Sequence, residues 1–68
     1  DMSSFYILKL TKMPHQKDES IEGNLKCSKG GRVVERDKVK FKVTKKEQDT
    51  YWLWSRSEQI GIVIQKLY

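Results

Sequence analysis

The chain has 68 residues, 34% of them charged and 37% hydrophobic, with 14 Lys and Arg against 9 Asp and Glu for a formal net charge of +5. That length holds one small domain, residues 1–68, either a whole small protein or an excised piece, and excludes a multidomain enzyme built around a buried cleft. No apolar run approaches the ~18 residues of a bilayer-spanning helix, and a single cysteine, Cys27, excludes an intrachain disulfide.

Residues 4–13 are rich in β-formers, and Tyr6, Leu8 and Leu10 alternate with Ile7, Lys9 and Thr11. This predicts a first strand, ended by Pro14, which cannot donate to a ladder. Residues 14–20 are polar and predict a loop, with room for one turn of helix at most. Residues 21–28 alternate weakly through Ile21, Leu25 and Cys27, and Gly23 breaks the pattern. A short strand with a bulge is expected there.

Lys29-Gly30-Gly31 is the clearest turn, because a Gly-Gly pair supplies the positive φ angles of a tight hairpin. Residues 32–36 predict a short strand around Val33-Val34. Residues 38–44 are the cleanest pattern: Val39, Phe41 and Val43 alternate with Lys38, Lys40, Lys42 and Thr44. Period two means one buried face and one wet face. Residues 45–49 are a polar connection of hairpin length.

Residues 50–56 combine Tyr51, Trp52, Leu53 and Trp54 into a segment of strong β propensity. Residues 57–59 predict a turn. Residues 60–68 alternate through Ile60, Ile62 and Ile64, then shift phase at Leu67, which suggests a bulge near Gln65 or an edge position. The run Ile62-Val63-Ile64 predicts a central strand buried on both faces. At an edge, the same run would invite another chain to add a strand, giving a homo- or hetero-oligomer. The chain contains no alanine, the best helix former. The expected fold is therefore mostly β: a five- or six-stranded antiparallel barrel or sandwich, SH3-like or OB-like, with α+β as the alternative.

Charge is uneven along the chain. Residues 24–47 carry nine Lys or Arg against Glu35, Asp37 and Glu47, a net of +6, while residues 1–23 sum to −1 and residues 48–68 to zero. Such a patch attracts polyanions. If Val43 pairs with Tyr51, Lys42 lies opposite Trp52, Lys40 opposite Trp54 and Lys38 opposite Arg56. That face would offer indoles to stack bases and cations to follow phosphates. A one-residue slip instead buries the tryptophans against Val43 and Phe41, and the large area of Trp favours at least one of them in the core.

The expected contacts are therefore Arg32, Arg36, Lys38, Lys40, Lys42, Lys45 and Lys46 for phosphates, with Trp52 or Trp54 for stacking. They suit a non-enzymatic module binding nucleic acid, single-stranded by the stacking argument, with little sequence discrimination. The alternative is a protein-interaction or structural module that docks by a strand edge or by complementarity to an acidic protein surface. One His (His15) and one Cys (Cys27) fall short of a zinc site and lack any signature of a catalytic pair. No catalytic residue, metal or cofactor is expected. No signal peptide is expected either, and the lone cysteine fits an intracellular setting, cytoplasm or nucleus.

Overall fold

A computed structural model describes residues 4–67 of the chain. They form β1 (Ser4–Leu10), β2 (Ser20–Lys29), β3 (Arg32–Glu47), β4 (Thr50–Ser55) and β5 (Ile60–Gln65). Among the described residues there is no helix. The strands pair antiparallel in the order β1-β2-β3-β4-β5. This single up-and-down sheet curls into a half-barrel. The β-rich expectation holds. The barrel is not closed, because β1 and β5 do not meet; the strands form one sheet rather than a packed pair; and the α+β alternative fails because the described residues hold no helix.

The two middle strands expected at 32–36 and 38–44 are one strand, β3. Sixteen residues of straight strand would span ~53 Å at ~3.3 Å each. The longest dimension of the molecule is 36 Å, so β3 must bend. Two bulges bend it. At the first, Gly23 pairs with Val39 and Leu25 with Arg36, leaving Asp37 and Lys38 together opposite Asn24. Lys38 takes a positive φ of 57° there. The sequence places this bulge at Gly23 on β2, but the extra residue belongs to β3. At the second, Val43 pairs with Leu53 and Lys45 with Trp52, so Thr44 is extra. Its hydroxyl donates to the Trp52 carbonyl at 3.2 Å and fixes the distortion.

The concave face holds the core. Ile21 and Leu25 of β2, Val39, Phe41 and Val43 of β3, and Tyr51 and Leu53 of β4 are buried there. Leu8, Leu10, Met13, Ile60, Ile62 and Ile64 pack around them. This is the buried half of each alternating pattern, which is why strand period alone locates the core. Gly30 and Gly31, at φ 59° and 82°, make the two-residue β2–β3 turn, both with the positive φ of a type I′ hairpin.

β5 is an edge strand rather than a central one: Val63 is 57% exposed. The strand ends at Gln65, and Leu67 stands beyond it, 80% exposed. The phase shift at Leu67 therefore marks the end of the strand, not a bulge. Tyr68, the last residue of that expected strand, lies outside the described residues.

The β1–β2 loop is tied down by Glu19. Its Oε1 accepts the His15 backbone N–H at 2.7 Å and the Gln16 N–H at 3.2 Å. The Asp18 N–H donates to the Val43 carbonyl, and the Val43 N–H donates to the Glu19 carbonyl. The His15 N–H bond is the chief reason that the Glu19 carboxyl lies below its ordinary pKa. A lowered folded-state pKa stabilises the loop above the unfolded value, and that contribution disappears as pH falls through the folded value. The His15 and Gln16 amide resonances are expected to titrate together with a midpoint below the usual glutamate range. In Glu19→Gln that step should be absent. A midpoint at the ordinary value would mean the carboxylate does not hold these amides.

Candidate functional site

The convex face is the wet half of the same alternation. On β3, Lys40 and Lys42 are exposed between buried Val39, Phe41 and Val43. On β4, Trp52 and Trp54 alternate with buried Tyr51, Leu53 and Ser55. Lys42 lies opposite Trp54, and the Thr44 bulge returns Lys45 to this face opposite Trp52. The lysines and indoles therefore share a face, as the first of the two registers requires. The pairing differs: Trp52 faces Lys45 rather than Lys42, and Trp54 faces Lys42 rather than Lys40. Neither tryptophan is in the buried core. Trp52 is half-buried and Trp54 is 40% exposed.

The cations separate into engaged and open groups. Lys45 Nζ sits 4.6 Å from the Trp52 ring centroid and 3.7 Å from Glu47. Lys46 Nζ lies 5.6 Å from the ring of Tyr51, its cross-strand partner on the concave side. Lys42 pairs with Asp18 at 3.9 Å. Arg36 pairs with Leu25 in the ladder, on the concave side, and bridges to Glu58 at 3.7 Å. Arg32 closes the Gly30-Gly31 turn opposite Lys29, at the far end of β3. Arg32, Arg36 and Lys46 therefore do not join the lysine–tryptophan face.

The open cations meet where β4 turns into β5. An open, shallow cleft of about 620 Å³ is lined by Lys38, Lys40, Arg56 and Ser57. A neighbouring hollow of about 330 Å³ is lined by Ser20, Lys40, Phe41, Lys42, Trp54 and Arg56. Local chemistry builds this corner. Ser55 is fully buried, and its Oγ accepts the Glu58 N–H at 3.2 Å. The Gln59 side-chain amide donates to the Arg56 carbonyl at 2.9 Å, with Gln59 itself at φ 56°. The turn thus fixes Arg56 and Ser57 beside the Lys38 bulge. The sequence sets Arg56 opposite Lys38 but assigns it no contact. The available signal is the Ser-Arg-Ser-Glu run, where a strand-ending serine can cap the turn that follows.

Trp54 is seated by a glycine. Gly61 is its cross-strand partner, and a Cβ placed on Gly61 would lie 3.6 Å from Trp54 Cε3. The indole therefore lies across the space that a larger residue would fill.

Cys27 and His15 are not brought together. Cys27 sits seven residues along β2 from Ser20, about 23 Å by strand rise, whereas His15 is in the loop before Ser20. Among the described residues no group of three His, Cys, Asp or Glu is placed to hold a metal ion. No helix of the described residues is long and apolar enough to cross a membrane.

Fold and face together define a class: an open five-stranded half-barrel with an apolar concave side and a basic, indole-bearing convex side. Neither a protein-family model nor a curated protein nor a solved structure matches the chain.

Proposed function

We propose that this chain is a non-enzymatic module that binds single-stranded nucleic acid, with low sequence specificity, on the convex face of β3 and β4. The observation that carries the reading is the interleaving of Lys40, Lys42 and Lys45 with Trp52 and Trp54 on one solvent-facing surface. Cations follow a phosphate backbone, and indole planes stack bases of any identity at about 1–3 kcal/mol each. SH3-like and OB-like barrels use an open sheet face in this way, and the proposal gives this meander the same use. A lone Cys27 without a disulfide partner suits the cytoplasm or nucleus, where such a ligand is met.

Titration of the tryptophan fluorescence with a short oligothymidine at two salt concentrations tests it. Quenching is expected, and affinity should fall with salt at a log–log slope of roughly −0.7 per phosphate contacted. Lys40→Glu with Lys42→Glu should abolish binding. Absence of quenching together with no anisotropy change of a labelled oligonucleotide at low salt would overturn the reading.

A second reading rests on the sheet edges. β5 carries no charged residue from Ile60 to Gln65 and no bulge, so nothing blunts its unpaired edge. A partner strand, or an acidic protein surface against the lysines, would suit a docking module. Strand addition responds little to salt, so the same titration separates it from the first reading.

A further inference from the structure

We infer that the corner between the Lys38 bulge and the β4–β5 turn is the anchoring nucleotide subsite: Lys38, Lys40 and Arg56 hold a backbone phosphate, and Trp54 stacks the adjoining base. This rests on the nucleic-acid reading and adds where the strand is gripped.

Three observations converge on it. The first is availability. Lys42, Lys45 and Arg36 already have carboxylate partners, whereas no carboxylate of the described residues lies within ion-pair distance of Lys38, Lys40 or Arg56. An engaged cation must give up its partner before it can take a phosphate, and an open one need not. Glu58, on the same turn as Arg56, is drawn to Arg36. Glu22, across the ladder from Lys40, is half-buried and makes no ion pair with it. Asp37, next to Lys38 in the bulge, is not paired either.

The second is shape. The three cations line one open, shallow cleft together with Ser57. The Ser57 hydroxyl, 3.4 Å from Ser55 Oγ, can add a neutral donor to phosphate, weaker than the charged ones.

The third is adjacency. Lys40 and Arg56 line both the cleft and the hollow that contains Trp54. A phosphate in the cleft therefore shares two lining residues with the hollow that holds the ring. Trp54 is also the more exposed of the two indoles. A duplex keeps its base faces inside the stack and cannot use that ring, so the subsite takes an unpaired nucleotide.

Three variants and two probes test this, each variant first checked for a wild-type circular dichroism spectrum. The probes are a labelled oligothymidine of about eight nucleotides, within the usual site size, and the same backbone with abasic sites. The triple change Lys38→Gln, Lys40→Gln and Arg56→Gln is expected to weaken oligothymidine binding about 100-fold and to flatten the salt slope. The pair Arg32→Gln and Lys46→Gln should change it by less than about threefold, since those charges lie off the lysine–tryptophan face. Trp54→Leu should cost roughly tenfold on oligothymidine and nothing on the abasic strand. If the Arg32/Lys46 pair costs more than the triple change, the subsite is misplaced while the nucleic-acid reading stands. If Trp54→Leu weakens both probes equally, the stacking assignment falls. If the wild-type chain binds neither probe at low salt, both this inference and the reading beneath it fall.

Discussion

Phe41→Ala is expected to remove about a third or more of the domain's stability. Phe41 is 1% exposed and sits at the centre of the concave cluster. Ile21 is its cross-strand neighbour, and Val39 and Val43 flank it on the same face. Removing a buried phenylalanine side chain costs about 3–5 kcal/mol, partly from lost transfer energy and partly from the cavity left behind. A chain of this length has roughly 3–10 kcal/mol of stability in total. One curled sheet supplies the whole core, so no second layer can move in to fill the gap. Urea unfolding followed by circular dichroism should show a loss of at least ~3 kcal/mol. Val33→Ala, at a position 61% exposed, should stay within about 0.5 kcal/mol of the parent. A loss below ~1 kcal/mol for Phe41→Ala would mean the concave cluster is not the core that holds the sheet.

That core was legible because strand period is a local property. Val39, Phe41 and Val43 announce a buried face wherever their partners lie; Tyr51 and Leu53 do not, because the larger Trp52 and Trp54 alternate with them and their area favoured the core, where the structure has neither. The two sides of the central hairpin could be assigned from parity once a register was chosen. The register itself is a long-range property, and here Thr44 shifts it. An inserted residue on one strand leaves no mark in the alternation of the other. The sixth strand arose for the same reason. Asp37 and Lys38 break the pattern between Val34 and Val39, and a bulge in a continuous strand reads like a boundary between two. Closure was illegible because it depends on how far the sheet curls, and β5 carries the apolar run usually given to a central strand.

The candidate face was legible in composition but not in detail. Charge counting cannot tell an open lysine from an engaged one. Lys45 lies over Trp52, Lys42 reaches Asp18 from a loop more than twenty residues away, and Arg36 is turned to the concave side by the Lys38 bulge. Arg56 is marked only by the Ser-Arg-Ser-Glu run around it, since its place depends on the capped turn that follows Ser55. The basic patch was thus readable as a region, and the subsite proposed above narrows it to a corner.

Gly23→Ala is expected to detach β1. Gly23 is buried between Leu10 on β1 and Val39 on β3. A Cβ there would lie 2.6 Å from the Lys9 carbonyl oxygen, 3.0 Å from Leu10 Cδ2 and 3.1 Å from Leu8 Cδ1. The leucine tips can swing away, but the carbonyl oxygen belongs to the β1 backbone. β1 must therefore move, and it pairs with no strand but β2. Overpacking of this kind costs about 1–3 kcal/mol. Here the cost should be concentrated in one strand, because an edge strand can separate without taking the sheet with it. Hydrogen exchange is expected to show loss of protection across Ser4–Leu10 while β3 and β4 amides keep theirs. Gly61→Ala provides the contrast: its nearest neighbours would be at 3.6 and 3.7 Å, ordinary contact distances, and stability should change by less than about 0.5 kcal/mol. Retained β1 protection in Gly23→Ala would show that the close approach of β1 to β2 is not required. The convex face of β3 and β4 lies away from β1, so oligonucleotide binding should survive in the Gly23 variant. Loss of binding there would tie the function to the curl of the whole half-barrel rather than to the hairpin that carries the lysines and tryptophans.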